Sequence, residues 1–483
     1  MFPEDLENEA ELLAQKQQNR RDKKFMKKKT TLEKRQFPRI MAKLPIRVTP
    51  QFFGESVDLS ETGLGFVLDK PLPLSKFQAK IEISPKETIE TNFKVIWNKQ
   101  LVEQKKFMYG VCFIRFTKKD LDTLRHLLIS QKVEKIIDKI KNKNEKRKIS
   151  DFWFIRFKKY MTDIFKLFQQ VSDNKMDDEG VIVERLTALN NNLLQSADKL
   201  AKKMESSTIE KKMKNAFRFF IGHWAFKSQI LRRGYEKPLG YPGDYKMLEL
   251  IYDNKSISDG IGGYFDYYFL NNPYAEAVRC RKLEMERILV QRINESKKDS
   301  LNILNLACGS CRELKEIYAM RKITYNGRIT FRLVDQEEDA LRFSEQSLGK
   351  FVNDKTRFLY FKENILKFHS DKSKYTNLFG KQDIIYSIGL VDYLPDRVLT
   401  KILNFCLDIL DEDGELIITF KDKEKDPFAP LPPDWFCDWK FVPRTEKDAF
   451  NLLYGLKDSL SIHAYYEGTK RVVFFEIQKQ KSK

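Results

Sequence analysis

Two arginines lie four residues apart in the segment KRQFPR at residues 34–39. Pro38 stands between them and disfavours a regular helix across Arg35 and Arg39, because its ring fixes the backbone and removes a hydrogen-bond donor. An irregular segment can direct both guanidinium groups at one ligand. Guanidinium groups bind phosphate through paired hydrogen bonds and stack on planar rings, so this spacing favours a nucleotide ligand.

The segment DLSETG follows at residues 58–63. Asp58 can accept hydrogen bonds from the N–H edge of a guanine, Ser60 occupies the turn, and Gly63 permits a close approach of the backbone. The two segments together favour one nucleotide site built from two halves. The alternative is a basic arm followed by an Asx-type turn.

A second chemical pattern is LNILNLACGSCREL at residues 301–314. It predicts a strand, a turn around Gly309 and a helix, which places backbone N–H groups and a helix N-terminus beside a ligand. The G-x-G-x-x-G pattern of a pyrophosphate site is missing. Small residues surround the glycine and let a ligand approach the backbone, namely Ala307, Cys308, Ser310 and Cys311. The two cysteines form a CxxC pair, but no second pair or histidine cluster accompanies them, so no metal is predicted.

The next two predicted strands also end in polar side chains. Asp335 follows the strand in FRLVDQ, where a carboxylate can accept hydrogen bonds from both hydroxyls of a ribose. Asn364 follows the third strand in KENIL, where its amide can face an adenine edge. The alternative for Asp335 is a helix N-cap. A glycine turn, a carboxylate and an amide on three successive strands predict an adenosine ligand.

Two kinds of fold must position these side chains. Residues 33–116 contain short β-type runs separated by turn residues, which predicts a small β-barrel or sandwich. Three runs of helical periodicity follow. From residue 301 onward strands and helices alternate, and the chain ends in two β-rich runs about a Glu-Gly turn, which predicts an antiparallel hairpin. The strands are predicted at 302–307, 328–335, 356–361, 383–388 and 414–420. This layout resembles the class I methyltransferase fold.

The chain has 483 residues and a formal net charge of +19, which suggests two or three domains. The basic excess is concentrated between Lys16 and Arg47, which suits nucleotides, nucleic acid or anionic lipid; a solvated tail is the alternative. No segment reaches the roughly 20 apolar residues of a membrane span, and the acidic start is unlike a signal peptide. We therefore expect a cytosolic protein without a transmembrane segment. Six scattered cysteines predict no disulfide framework.

The two N-terminal segments resemble the PilZ domain, whose pattern is R-x-x-x-R followed by D/N-x-S-x-x-G at the start of a small β-barrel. The resemblance covers about residues 33–130 and includes the strand YGVCFIRF. Every position of the pattern is matched, by Arg35, Arg39, Asp58, Ser60 and Gly63. The resemblance implies binding of cyclic di-GMP, commonly as an intercalated dimer held by the two arginines.

The C-terminal part resembles class I S-adenosylmethionine-dependent methyltransferases, and more closely a bacterial subfamily that includes proteins of 3-hydroxypalmitic acid methyl ester biosynthesis. It covers roughly residues 180–480 and rests on GYPGDYKMLELIY, LNLACGSCREL, LVDQEEDAL, YSIGLVDYLPD and WFCDWKFVPRTEKD. The chain departs from the general class I motif at Asn305, where an acid is usual, and at Cys311, where a glycine is usual. The resemblance implies S-adenosylmethionine as the methyl donor and a hydroxy fatty acid carboxylate as the acceptor.

The resemblance also implies roles for individual residues. Cofactor contacts are expected from Asn305, Ala307, Cys308, Gly309, Asp335, Asn364 and Ser387. Catalytic contacts are expected from Tyr241, Asp244 and Tyr393. Substrate contacts are expected from Tyr245, Arg279 and Arg281, whose guanidinium groups suit a carboxylate. The alternatives are a helix-breaking loop around Tyr241 and solvated arginines.

The predicted fold is multidomain: a PilZ-like β-barrel, a helical connector, and a Rossmann-like α/β methyltransferase domain with a terminal hairpin. The predicted segments are a basic flexible arm at 1–32, the cyclic di-GMP-binding domain at 33–130, the connector at 131–178, a helical substrate-binding cap at 179–295 and the methyltransferase domain at 296–483.

The leading hypothesis is a methyltransferase that cyclic di-GMP controls through the connector. The alternative is a cyclic di-GMP signalling adaptor whose methyltransferase fold is inactive and binds a partner, which the departures at Asn305 and Cys311 motivate. A nucleic-acid methyltransferase is disfavoured because the chain lacks an Asn/Asp-Pro-Pro-Tyr/Phe motif, and we expect no nucleic-acid partner. The sequence does not predict the oligomeric state.

Overall fold

The computed structural model describes residues 37–480 except 49–50, 86, 174–177, 203–205 and 457–458. The predicted arm at residues 1–32 and the candidate ligand-binding Arg35 lie outside these described residues. The chain forms two compact units. The first contains the described residues up to Lys166 together with Lys199–His223, and the second contains Leu167–Asp198 together with the chain from Trp224 onward.

The first unit begins with an antiparallel β-barrel. Its strands are β1 (Ile40–Met41), β2 (Pro45–Val48), β3 (Phe52–Leu59), β4 (Gly63–Leu68), β5 (Lys76–Ser84), β6 (Glu87–Leu101) and β7 (Lys106–Arg115). Strands β3, β2, β5, β6, β7 and β4 pair in that order, and β4 pairs again with β3, so six strands close on themselves while β1 extends β3. Along β5, the alternation places Phe77, Ala79 and Ile81 in the core. The predicted small barrel is confirmed.

Helices follow the barrel. They are α1 (Lys118–Ile137), α2 (Lys143–Asp151), α3 (Lys158–Ser172), α4 (Glu179–Ala201) and α5 (Ser207–Ala225), with a π-helical turn (Phe152–Phe157) before α3. Within the first unit, Trp153 of that turn packs on Phe157 and Phe220, with ring centroids 4.7 and 6.4 Å apart. The π-turn adds a residue to the helical repeat, so the buried face continues along α3 through Met161 and Ile164. The helical region predicted between the two folds is confirmed.

The second unit contains a mixed seven-stranded sheet. Its strands are β8 (Ser300–Leu306), β9 (Arg328–Asp335), β10 (Thr356–Lys362), β11 (Gln382–Ser387), β12 (Leu410–Lys421), β13 (Leu460–Tyr466) and β14 (Val472–Lys479). The spatial order is β10-β9-β8-β11-β12-β14-β13, with β8 to β12 parallel and the β13–β14 hairpin antiparallel on β12. This is the strand order of the class I methyltransferase fold, and the predicted terminal hairpin is confirmed.

Helices cover the sheet of the second unit. They are α6 (Gln229–Glu236), α7 (Tyr245–Asp253), α8 (Gly260–Leu270), α9 (Pro273–Asn294), α10 (Arg312–Ala319), α11 (Glu338–Leu348), α12 (Lys372–Phe379), α13 (Asp396–Ile409), α14 (Leu431–Cys437) and α15 (Glu446–Tyr454). Successive residues of β8 enter different cores: Ile303 packs in a cluster with Leu289 of α9, and Leu304 packs in a cluster with Leu403 of α13. The sheet is therefore buried on both faces. Among the described helices, none combines the length and apolar character that crossing a bilayer requires.

Candidate functional site

The segment at residues 58–63 forms a tight turn between β3 and β4. The Ser60 hydroxyl and the Ser60 backbone N–H both donate to the Gly63 carbonyl oxygen at 2.9 Å. A side chain at Gly63 would place its Cβ 2.1 Å from the Val111 carbonyl oxygen of β7, so only glycine fits there. Ser60 and Gly63 therefore fix the shape of the turn.

Asp58 and Arg39 form the polar part of the same site. Asp58 Oδ1 accepts a hydrogen bond from the Gly65 backbone N–H at 2.9 Å and from Arg39 Nη1 at 2.5 Å. The Arg39 side chain is 23% exposed, so its guanidinium can also reach a ligand. The structure brings together four of the five residues predicted for this site, and Arg35 lies outside the described residues.

Glu61 of the same turn ties it to the helices of the first unit. Its two carboxylate oxygens accept from Nε and Nη2 of Arg125 on α1 at 3.0 and 3.1 Å. Arg125 is only 3% exposed, and its Nη1 donates to Thr162 Oγ1 on α3 at 2.8 Å. The turn is thus connected to α3 through one buried arginine. The sequence pattern did not identify this link, because Glu61 occupies a variable position of the motif.

A cavity of about 340 Å³ lies in the second unit at the carboxyl ends of the parallel strands. The strand order reverses between β8 and β11, and open α/β sheets bind their ligands at that place. The lining comes from the ends of β8 to β12, from residues 241–281 of the helical region and from residues 433–441.

The turn after β8 forms one wall of the cavity. Ala307, Gly309 and Cys311 have positive φ angles of 54, 55 and 48°, so the turn presents backbone to the cavity. A Cβ added to Gly309 would have Tyr245 Cβ as its nearest neighbour at 3.8 Å, which leaves space for a ligand against this backbone. Ala307, Gly309 and Tyr245 all line the cavity.

Asp335 ends β9 beside that turn. Its Oδ2 accepts from the Gly309 backbone N–H and its Oδ1 from the Glu337 backbone N–H, both at 2.9 Å. Burial raises the pKa of Asp335, and these backbone hydrogen bonds oppose the shift. Each oxygen keeps a second lone pair, so the carboxylate can accept two hydroxyl donors from a ligand.

Asn364 follows β10 and lines the same cavity. Its side-chain oxygen accepts from the Leu366 backbone N–H at 3.0 Å and caps a short helical turn. The amide NH₂ group remains for a ligand edge. Neighbouring Glu363 also lines the cavity, and its carboxylate accepts from the Tyr375 hydroxyl at 2.8 Å and from Lys374 at 3.2 Å.

Three residues predicted to contact the cofactor do not line the cavity. The Asn305 amide donates to Glu313 at 3.1 Å and to the Tyr386 hydroxyl at 2.8 Å in a buried cluster, where burial raises the pKa of Glu313 to about 7. The Ser387 hydroxyl donates to the Leu306 carbonyl at 2.9 Å. The third residue, Cys308, is buried in the core on the other side of the turn, and burial raises the pKa of its thiol.

The predicted catalytic residues separate into two groups. Tyr241 and Tyr393 line the cavity, and the Tyr393 hydroxyl accepts from Trp439 Nε1 at 2.8 Å. A Cβ at Gly243 would lie 2.6 Å from the Tyr393 hydroxyl and 2.7 Å from the Trp439 ring, so glycine is required beneath this pair. Burial, followed by the charge of Asp335, raises the pKa of Tyr241, so its phenol is protonated at neutral pH.

Asp244 is a buried helix cap. It accepts from the Met247 backbone N–H at 2.9 Å at the start of α7, and it pairs with Arg233 at 2.6 Å. Its side chain is 1% exposed. The structure therefore places Asp244 in support of the wall that carries Tyr241.

The two arginines predicted for the substrate also differ. Arg281 of α9 lines the cavity. Arg279 instead donates to the Leu270 carbonyl at 2.9 Å, at the end of α8. Lys421, at the end of β12, lines the cavity close to Arg281, and the sequence patterns did not single it out. Its position at the carboxyl end of the fifth strand was the available signal.

Comparisons with known proteins identify one domain by sequence. Residues 33–130 match the family model of the PilZ domain, which confirms that prediction. No curated protein matches the chain.

The chain has limited similarity to solved structures. A possible exported protein from Bordetella parapertussis is 14% identical over 53% of this chain and 88% of its own, with a TM-score of 0.39. The magnesium protoporphyrin IX methyltransferase from Synechocystis PCC 6803 with bound S-adenosylmethionine is 11% identical over 43% of this chain and 83% of its own, with a TM-score of 0.31. The inhibitor of motility from Bacillus subtilis is 23% identical over 21% of this chain and 52% of its own, with a TM-score of 0.19. This chain contains a PilZ domain at residues 33–130, and the strand order of its second unit is that of the class I methyltransferase fold.

Proposed function

We propose that this chain is a cyclic di-GMP-responsive, S-adenosylmethionine-dependent methyltransferase that forms a methyl ester on the carboxylate of a hydroxy fatty acid. The observation that carries the methyl-donor part is the meeting of Gly309, Asp335 and Asn364 around one cavity. They lie at or just after the carboxyl ends of β8, β9 and β10, three neighbouring strands whose carboxyl ends face the same edge of the sheet.

The residues present fit an adenosine. Asp335 offers one free acceptor site on each oxygen for two ribose hydroxyls, and Asn364 lines the same cavity, where its NH₂ group can meet a base. Gly309 leaves its backbone open to a close approach. S-adenosylmethionine, when bound, supplies a methyl group on a positively charged sulfur that is already activated for transfer. Asn305 has no side-chain contact with the cavity, so its departure from the general motif removes no cavity group.

The acceptor side of the cavity favours a group that needs no base. Among the described residues that line the cavity, the only acids are Asp335 and Glu363, which belong to the nucleoside side. The phenols of Tyr241 and Tyr393 are donors or acceptors rather than bases at neutral pH. A carboxylate is already ionised at neutral pH, so the protein needs only to align it and exclude water.

A fatty acyl chain suits the remaining walls. The resemblance to the 3-hydroxypalmitic acid methyl ester subfamily suggests this acceptor, and the cavity offers an apolar surface to receive it. The apolar side chains are Leu248, Ile251, Phe269, Val278, Leu394 and Ile402. Tyr393 and Trp439 stand at the wall after β11, where they can shield the reacting groups from water.

Cyclic di-GMP is the proposed regulator. Arg39, just before β1, pairs with Asp58 at the start of the turn that Ser60 and Gly63 shape, and Arg35 of the same motif is the proposed second phosphate ligand. A phosphate that takes Arg39 from Asp58 alters the turn that also carries Glu61. The buried Arg125 then passes the change to α3, and this is the proposed route out of the barrel.

A methyl-transfer assay tests the proposal. The full chain is incubated with S-adenosylmethionine carrying a labelled methyl group and 3-hydroxypalmitate, with and without cyclic di-GMP, and the lipid extract is analysed for the methyl ester. We expect the labelled ester and a rate that depends on the messenger. Binding of S-adenosylmethionine without ester formation from any hydroxy fatty acid would refute the proposal that a hydroxy fatty acid is the methyl acceptor. Binding of cyclic di-GMP without binding of S-adenosylmethionine would favour the signalling adaptor.

A further inference from the structure

Two cationic side chains that line the cavity, Arg281 and Lys421, share the carboxylate of Asp392. Lys421 Nζ lies 2.7 Å from Asp392 Oδ2, and Arg281 Nη1 lies 3.6 Å from the same oxygen. The three side chains are 3 to 5% exposed. The Lys421 backbone N–H also donates to Asp392 Oδ1 at 2.9 Å, which fixes the carboxylate between the two cations.

Arg281 is not saturated by these contacts. Within the described chain, neither Nε nor Nη1 of Arg281 has a hydrogen-bond partner, although both atoms are buried. Its guanidinium lies against Gly389, where an added Cβ would come within 2.5 Å of Nη2. Gly389 therefore permits the guanidinium to stand beside the loop that follows β11. A buried guanidinium with unpaired N–H groups costs free energy unless a ligand accepts from them.

The positive charge of Lys421 is also only partly balanced by its neighbours. Its ammonium stands 4.0 Å from the Phe441 ring centroid and 5.5 Å from that of Tyr274, so aromatic faces surround it. Burial lowers the pKa of Lys421 to about 8, although Asp392 opposes the shift; the charge of Arg281 lowers it further. The cluster holds two cations and one carboxylate, so a ligand with a single negative charge would balance it.

The position of the cluster separates it from the nucleoside side. Lys421 ends β12, which is two strands from β8 and three strands from β9. At about 4.8 Å per strand, this corresponds to roughly 10 Å from the Gly309 turn and 14 Å from the Asp335 strand. We propose that Arg281 and Lys421 together bind the carboxylate of the methyl acceptor, and that Asp392 is a positioning residue that holds both cations. This inference rests on the proposed methyltransferase function.

The test is a calorimetric titration of 3-hydroxydecanoate, below its micelle concentration, into the full chain saturated with S-adenosylhomocysteine. The probe is compared with 1,3-decanediol, which has the same chain and no carboxylate. We expect the wild type to prefer the acid by at least about tenfold. Lys421→Met should raise the Kd of the acid by roughly ten- to a hundredfold, which is the range expected for the loss of a hydrogen bond to a charged group. The Kd of the diol should stay within about threefold of the wild-type value. Lys421→Arg should restore part of the acid affinity, because the charge returns.

A matched control separates charge at this site from charge in general. Lys423→Met makes the same change two residues away, on a side chain that pairs with Asp448 near the surface. We expect the Kd values of Lys423→Met for the acid and for the diol to lie within about threefold of the wild-type values. Equal affinities of the wild type for acid and diol would overturn the proposal, and that comparison needs no variant.

Two further titrations distinguish the acceptor carboxylate from that of the methyl donor. S-adenosylmethionine and 5′-methylthioadenosine, which lacks the amino acid carboxylate, are titrated into the wild type and Lys421→Met. For each nucleoside, we expect the Kd values of the wild type and of Lys421→Met to agree within about threefold. A loss confined to S-adenosylmethionine would overturn the proposal and assign the cations to the donor. Failure of both nucleosides to bind the wild type would instead refute the proposed function, and the acid and the diol would then be compared in the protein without nucleoside.

Discussion

Replacement of Asp335 by asparagine tests the proposed ribose contact. The Asp335 carboxylate is 6% exposed, and each of its oxygens already accepts one backbone N–H, from Gly309 and from Glu337. The remaining lone pairs are the proposed acceptors for the two ribose hydroxyls. Asparagine has one acceptor oxygen, and its NH₂ group would face a backbone N–H that also donates. One ribose hydroxyl therefore loses its acceptor, and the other keeps only a neutral one.

The expected loss follows from these contacts. A hydrogen bond to a charged group contributes about 1.5 to 3 kcal/mol and a neutral one about 1 kcal/mol. Loss of one charged bond and weakening of the second together cost about 2 to 5 kcal/mol. Because about 1.4 kcal/mol corresponds to a factor of ten, the Kd of S-adenosylmethionine should rise by a factor between about 30 and about 4000.

The assay is isothermal titration calorimetry of S-adenosylmethionine, with thermal unfolding of each variant measured in parallel. Asp383→Asn is the matched control, because Asp383 stands at the amino end of β11 in the same sheet and accepts from the Asn302 backbone N–H at 2.7 Å. We expect the control to bind within about threefold of the wild type. A folded Asp335→Asn protein with an unchanged Kd would refute the ribose assignment.

Three other changes have defined outcomes. Arg39→Ala should raise the Kd of cyclic di-GMP at least about thirtyfold in a calorimetric titration, because a charge-assisted phosphate contact is lost. Arg125→Met should lower the free energy of unfolding by about 3 to 5 kcal/mol in urea, since Glu61 stays buried without its partner, and added Glu61→Gln should recover at least about 1 kcal/mol. Binding of a carboxylate acceptor should weaken as the pH rises from 7 to 9, because Lys421, with a pKa of about 8, loses its proton over that interval.

Each of these outcomes has a control. Arg47→Ala removes another barrel arginine, paired with Glu82, and should leave the Kd of cyclic di-GMP unchanged. If the double variant Arg125→Met, Glu61→Gln is no more stable than Arg125→Met alone, the destabilisation was wrongly assigned to the unpaired Glu61 carboxylate. The charged groups that face Lys421 are Arg281 and Asp392. A pH-independent acceptor affinity in the wild type would contradict the role of Lys421.

The sequence predicted the architecture well because periodicity is a local property. Alternation in the N-terminal runs and the strand–helix alternation after residue 301 correctly predicted a barrel followed by a mostly parallel sheet with a terminal hairpin. The structure also places Gly309, Asp335 and Asn364 at one cavity, as expected for residues that end neighbouring parallel strands.

Side-chain direction was the harder part. Asn305 and Ala307 lie two residues apart across the end of β8, yet the first faces a buried cluster and the second the cavity, because the chain leaves the strand geometry between them. Arg279 and Arg281 are two positions apart on α9, and side chains at that spacing do not share a helix face. One therefore caps α8 while the other enters the cavity, and the sequence alone did not give the phase of the helix.

Contacts between distant residues were not predictable from the motifs. Asp392 and Lys421 are 29 residues apart, and Glu61 and Arg125 are 64 apart. Each pair forms only once strands and helices have packed. Such pairs supply much of the charge in both sites, so the sequence could indicate the ligand class without identifying every residue that contacts it.

The central claim is that one chain binds both nucleotides and that the two sites are coupled. The most direct test is a calorimetric titration of S-adenosylmethionine into the full chain, first without and then with saturating cyclic di-GMP. We expect binding in both titrations and Kd values that differ by at least about fivefold, the lower end of a typical coupling free energy of about 1 to 3 kcal/mol. Equal Kd values in a protein that binds cyclic di-GMP, or no binding of S-adenosylmethionine at all, would contradict the claim.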